Sequence, residues 1–289
     1  MFQKSTLSIP FWFLSVLSPD CLSRKQDVRV VSRGVFFKDE EGIVIQDIAV
    51  LSTTRILVTE QTYNTVRLVD SQNAGVVAKL TLPETPWKVC LVRDRRAVVT
   101  LPAEKRIQFI RMDRDTLTLD KSVDMNGAVI GIAASDSHLV VSYHNPGRVE
   151  MITMEGKVTH KLNNQTAGKI LFQIPNNIAI SESGYTVISD FRTNIITQLD
   201  ENLQVIQTFT SPMMNTPAGI VFVNSTQLLV VARHSHNILV LDTITCTMTI
   251  LLGHADGIQD PHALGWCPVS KALYVSGPVP VKTIMKFQV

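Results

Sequence analysis

The sequence is poor in cysteine, poor in aromatics and without helical periodicity, and each shortage removes a class of protein. Its four cysteines, Cys21, Cys90, Cys246 and Cys267, form no CxxC or other zinc spacing in 289 residues. A cross-braced zinc module is therefore excluded, and reduced thiols are expected rather than a disulfide framework. There is no phosphate-cradling glycine loop, no GxSxG and no HExxH, so the motif-bearing nucleotide-binding, hydrolase and zincin families are not indicated. No segment approaches the ~18 unbroken apolar residues that a membrane span needs. Charge of one sign is also missing: 27 basic against 25 acidic residues leave a net charge of +2, too little for a global field that would draw in nucleic acid or an anionic membrane. Apolar residues, at 45%, are plentiful enough for a large core.

Residues 1–26, MFQKSTLSIPFWFLSVLSPDCLSRKQ, hold one early lysine and an apolar run from Leu7 to Leu17. Pro10 interrupts the run and no small-x-small cleavage site follows, so the segment reads as an irregular leader that only loosely resembles a signal peptide. A cytoplasmic location is expected, with secretion as the alternative.

The rest of the chain repeats itself. Related apolar segments start at 45 (IQDIAVL), 86 (PWKVCLV), 129 (VIGIAAS), 175 (PNNIAIS), 217 (PAGIVFV) and 261 (PHALGWC), giving spacings of 41, 43, 46, 42 and 44 residues. Each is followed by a second run, such as RILVTE or QLLVVA, and by a third, such as TVRLVD or NILVLD. In five of the six units a fourth run follows. Short runs rich in Val, Ile and Thr, bounded by Asn, Asp, Gly and Ser, are strands joined by hairpin turns. Four antiparallel strands every 40-odd residues predict a propeller blade, and six units predict a closed ring. The fold expected is therefore all-β, a six-bladed β-propeller over residues 27–289. The sixth unit stops at its third strand, while DVRVVSRGVFF (27–37) precedes the first unit with no blade of its own. Pairing the two would close the ring and remove two exposed edges. A column of small residues near the middle of the first strands, Ala49, Cys90, Ala133, Ala179, Val221 and Gly265, suits the crowded hub where six sheets converge.

The units PAGIVFV with NILVLD, and PNNIAIS with YTVISD, resemble the NHL-repeat propellers. PWKVCLV followed by AVVTLPAEKRIQFI is similar to the propellers that end tripartite-motif (TRIM-NHL) proteins. The resemblance covers residues 27–289. It departs from the family pattern at the end of the second strand, where an aspartate stands only at Asp190, with Glu60 a near equivalent in the first unit. RING, B-box and coiled-coil modules, which accompany that propeller in the family, do not occur in these 289 residues. The resemblance thus implies a substrate-selecting relative of ubiquitin ligases in which the chain alone is not an enzyme, needs no cofactor and binds a protein partner.

Loops joining second to third strands share one face of a propeller with the connections between blades, and recognition is expected there. On that first face a basic arc, Lys105, Arg106, Arg148, Arg192 and Arg233, alternates with Tyr143 and Phe191. Together with Trp87 and His234 these are the candidate partner contacts, because aromatic and arginine side chains dominate hot spots. The same arc makes single-stranded RNA the alternative ligand. A zinc-dependent lyase is a third reading: some NHL-like propellers hold zinc with histidines at the channel mouth, and His144 and His234 occupy one repeat position.

Overall fold

A computed structural model of the protein describes residues 29–35, 42–163, 165–166, 169–277 and 283–289; the expected leader, residues 1–26, lies outside them. Among these residues the repeats become six four-stranded antiparallel sheets, with a two-stranded sheet of Gln165–Thr166 and Lys169–Ile170 between the third and fourth. Blade I comprises Ile45–Val50, Arg55–Glu60, Thr65–Asp70 and Gly75–Thr81; blade II comprises Val89–Val92, Arg96–Leu101, Arg106–Asp113 and Thr116–Asp124. Val129–Ala134, Leu139–Tyr143, Arg148–Ile152 and Val158–Leu162 form blade III. Pro175–Ile180, Thr186–Asp190, Ile195–Leu199 and Val205–Phe209 form blade IV. Blade V is Pro217–Phe222, Gln227–Ala232, Asn237–Asp242 and Thr247–Leu252. Blade VI contains Leu264–Cys267, Ala272–Ser276 and Thr283–Gln288, and its outermost strand is Arg29–Val35 from the other end of the chain. That strand runs antiparallel to Thr283–Gln288, with Arg29 opposite Gln288 and Val35 opposite Thr283, so the ring closes as the repeat count requires.

No blade has a core of its own. Six apolar clusters fill the six junctions between neighbouring blades, and the last joins Ile48, Ile56 and Val58 of blade I to Ala272, Tyr274 and Ile284 of blade VI. Middle strands, sandwiched on both faces, are fully buried, as in Leu139–Tyr143 and Arg148–Ile152, while the outer strand Val158–Leu162 is mostly exposed. The six small-column residues all line the axial channel, a space of about 300 Å³. Gly265 shows why the column is small: a Cβ there would lie 2.9 Å from both the Ile48 and the Val50 Cγ2 atoms, closer than packed carbons tolerate.

A second column, late in the second strands, ties neighbours together. Thr59 Oγ1 donates to the Trp87 carbonyl at 2.8 Å, Thr100 Oγ1 to Ile130 at 2.9 Å, Ser142 Oγ to Pro175 at 2.8 Å and Ser189 Oγ to Ala218 at 2.8 Å. Each bond runs from one blade to the inner edge of the next. In blades III, IV and V the inner edge has a spare carbonyl because the register slips there, between Val129 and Ile132, Pro175 and Asn177, and Pro217 and Ile220. Ala232 has no hydroxyl for this link in blade V, and Ser276 turns to Ala263 of its own blade.

The aspartates that end many third strands are turn residues. Asp242 Oδ1 accepts the amides of Ile244 and Thr245, and Asp70 and Asp200 do the same for their hairpins. A short carboxylate that bonds two residues onward mimics a backbone turn.

Candidate functional site

On the first face the channel opens into a hollow of about 420 Å³ lined by side chains from all six blades: Gln46 and Gln61, Trp87, His144, then Ile174, Asn176 and Phe191, Arg233 and His262. Two repeat positions supply most of this wall. The second residue of the first-strand segment gives Gln46, Trp87, Asn176 and His262, and the residue two beyond the small second-strand position gives Gln61, His144 and Phe191. These positions vary in chemistry from unit to unit.

The floor is a hydrogen-bonded chain. Gln46 donates its amide to Gln61 Oε1, and its own Oε1 faces His262 Nε2 at 3.1 Å. The buried Lys88 ammonium reaches from blade II to the Gln46 carbonyl at 3.1 Å. Asp47, beside it in the channel, accepts the Val89 amide at 3.0 Å. Burial raises the Asp47 carboxyl and lowers the Lys88 ammonium from their usual ranges, while each charge pulls the other back. Burial, with Lys88 and then Arg233 adding, holds the His262 imidazole down to about 3. His144 is also lowered by burial. Both rings are therefore neutral near pH 7. In each, one buried nitrogen, His144 Nε2 and His262 Nδ1, has no hydrogen-bond partner among the described residues. Trp87 meets the His144 ring edge-on at 6.3 Å between centroids.

Three of the nine contacts expected from sequence, Trp87, Phe191 and Arg233, line the hollow. His234 stands beside it, exposed, with its ring 6.5 Å from Phe191 and Nδ1 2.8 Å from Thr216 Oγ1. Lys105 and Arg192 are exposed on the rim and Arg106 is half-exposed. Lys105 occupies a left-handed turn position (φ 50°) that Asn64, Asn194 and His236 fill in other blades.

Tyr143 and Arg148 are corrections. Both are buried. The Arg148 guanidinium lies 3.5 Å from the Tyr143 ring centroid, donates to Glu150 at 3.0 Å and donates to the Asn126 carbonyl at 2.6 Å. Tyr143 packs into the apolar cluster between blades II and III, and Arg148 lies against its ring. Alternation in a strand is not enough to expose a residue whose sheet is covered on both faces. The arc is further depleted by pairing: Arg106 faces Glu104 and Asp124 at 3.2 Å each, and Arg233 forks onto Asp260 at 2.9 and 3.0 Å. Among the described residues no three His, Cys, Asp or Glu side chains gather as a metal site. Gln46, Ile174 and Asn176 went unnoticed in the sequence, although the variable repeat positions hold two of them.

No protein-family model matches the chain, and no curated protein matches it. Solved structures do. Virginiamycin B lyase from Staphylococcus aureus superposes with a TM-score of 0.65 at 15% identity, over 91% of this chain and 100% of that one. A streptogramin B lyase gives 0.63 at 11% identity, over 90% and 97%. The nidogen/laminin complex gives 0.63 at 13% identity, over 78% of this chain and 85% of that chain. Likeness at these identities shows the propeller fold; it does not reach the finer NHL or tripartite-motif assignment. It also corrects the expectation that the chain is not an enzyme. Lyases use this same propeller at nearly full coverage, so neither the fold nor the missing motifs exclude catalysis. Motif absence tests only enzymes whose site is contiguous in sequence, whereas a propeller assembles its site from single residues ~40 apart.

Proposed function

We propose that the protein is a recognition module whose first face binds a protein partner, one partner side chain being seated in the hollow at the channel mouth. The observation that carries this reading is the hollow itself: it draws Trp87, Phe191 and Arg233 from three blades onto a rigid rim around about 420 Å³, and aromatic and arginine anchors around a desolvated pocket are what hot spots are made of. A propeller neighbour within the nidogen/laminin complex supports a protein ligand for this fold, and a lyase neighbour bound to quinupristin supports occupancy by a smaller one. The RNA alternative is weakened by the loss of free cations from the arc, since Arg148 is buried and Arg106 and Arg233 face carboxylates.

A photocrosslinking amino acid placed at Arg192 on the first face, and separately at Arg114 on the opposite side, tests the reading in cells. Capture of a defined protein from position 192, resistant to RNase and lost in Trp87→Ala and Phe191→Ala backgrounds, is the expected result. Once that partner is purified, each substitution should weaken binding by roughly 2 kcal/mol or more, about 30-fold. Equal capture from both faces, or capture indifferent to both substitutions, overturns it.

A further inference from the structure

Three junctions between blades carry the same side-chain clasp. Thr85, Thr216 and Asp260, each just before the proline that opens the next unit, are bonded to one residue of the preceding blade's second-to-third-strand loop. Asn64 Oδ1 accepts the Thr85 hydroxyl at 2.9 Å, Asn194 Oδ1 the Thr216 amide at 2.7 Å, and His236 Nδ1 the Asp260 amide at 2.9 Å. These three loop residues are all left-handed, with φ of 53°, 58° and 54°, a conformation that asparagine tolerates better than most side chains. His236 is the exception among them. It keeps the acceptor that its repeat position requires and makes it titratable, because an imidazole nitrogen gains a proton near neutral pH and a carboxamide oxygen does not. Its donor is a backbone amide, so Nδ1 must present a lone pair.

At the junction of blades V and VI the clasp also reaches the hollow. Arg233, which lines the mouth, donates Nε and Nη2 to the two Asp260 carboxylate oxygens at 2.9 and 3.0 Å, and its carbonyl accepts the His236 amide at 3.1 Å. The three residues form a closed circuit. Several charged or titratable groups border the imidazole: Asp260, Asp256 and His254 in the connection to blade VI, and Arg233 and His234 in its own loop. The His254 ring is 6.4 Å away between centroids, and Asp256 accepts the Gly253 amide at 2.8 Å. The Arg233 hydrogen bond, with the fields of His234 and His236 adding, holds the Asp260 carboxyl below the usual carboxylate range. Asp260 therefore stays charged when an imidazole beside it takes up a proton.

We infer that His236 is a positioning residue for the mouth: its neutral imidazole holds Asp260 where it grips Arg233, and its protonation releases the guanidinium into the hollow. A proton on Nδ1 sets donor against donor at the Asp260 amide, and the imidazolium then competes with Arg233 for the Asp260 carboxylate. The sister junctions, built on Asn64 and Asn194, keep their clasps at the same pH. The inference rests on the reading of the first face as a binding surface and says what fixes one of its three anchors.

In the whole protein, the Asp260 backbone amide, the Arg233 Nε–H and the His236 ring are followed together by ¹H–¹⁵N NMR from about pH 8 to about pH 5. The expected result is that all three resonances shift with one shared midpoint. His236→Asn, which installs the acceptor of the sister junctions, should leave the Asp260 and Arg233 resonances in place across the whole range. His236→Ala, which offers no acceptor, should hold both at their acid positions throughout. Since the native titration needs no variant, it stands whatever happens to their folding. Asp260 and Arg233 resonances that stay fixed while His236 titrates, or that move in His236→Asn as they do in the native protein, overturn the inference. Failed crosslinking from position 192 with the shared midpoint intact would remove the protein partner and leave the clasp; successful crosslinking without that midpoint would remove the clasp alone.

Discussion

His262 shows how one residue can belong to the scaffold and the site at once. Its Nε2 is anchored to Gln46 and its ring lies in the mouth. Its folded value of about 3 is far below the ordinary 6.5, so between those limits the unfolded chain binds the proton and the folded one does not. Stability is then complete above about pH 6.5 and falls as pH drops toward 3, by an amount on the order of 3 kcal/mol at pH 4. In His262→Gln, which cannot take up that proton, urea midpoints measured at pH 7 and pH 4 should differ by correspondingly less than in the native protein. An unchanged difference would mean that the imidazole is protonated in the folded state. Asp190 is the complementary case: the aspartate that the sequence marks as a repeat signature accepts four backbone amides, those of Gln173, Ile174, Arg192 and Thr193. It fastens the loop behind the mouth to the loop bearing Phe191, so its role is to position the site rather than to meet a ligand.

Between elements, the distinctive device is the hydroxyl that stitches one blade's second strand to the next blade's first. Ser142 Oγ also accepts the Gly131 amide at 3.0 Å, and a Cβ on Gly131 would come within 2.5 Å of that oxygen. Gly131 is thus required by the stitch, not by its own torsion angles. Removing the donor in Ser189→Ala leaves the buried Ala218 carbonyl without its inter-blade partner, and chemical denaturation should register a loss of about 1–3 kcal/mol. Ala232, which has no hydroxyl to lose, is the internal control: Ala232→Gly removes a methyl from the blade IV–V cluster, and its effect should come from lost packing and added backbone freedom, with no inter-blade hydrogen bond involved. If Ser189→Ala proves neutral, the inter-blade hydroxyls are incidental to the ring's stability.

At the scale of the whole molecule, closure decides stability, because every apolar cluster lies between two blades and none within one. Removing residues 1–35 takes away the strand Arg29–Val35 and leaves Thr283–Gln288 as a bare edge. That deletion should lower the melting temperature by several degrees or more, whereas deletion of residues 1–24, which removes no described strand, should leave it near the native value. Identical melting of the two would show that the ring holds without its outer strand in blade VI. The ring also explains why one scaffold serves both lyases and a laminin complex among its structural neighbours. The junctions carry the stability, so residues at the mouth are free to differ in every blade.

The sequence by itself determined the blade count, the strand order within each blade, the small hub column and the pairing of the chain's two ends, because all of these follow from a period of 41 to 46 residues and from alternation within short runs. It also named Trp87, Phe191 and Arg233, which line one hollow in the folded ring. Only the tertiary structure decided that Tyr143 and Arg148 are buried between blades, that Arg233 is held by Asp260 and that Gln46, Lys88 and His262 form one floor. The physical reason is distance along the chain: Gln46 and His262 are 216 residues apart, and no local pattern carries the contact that six sheets make when they meet around one axis.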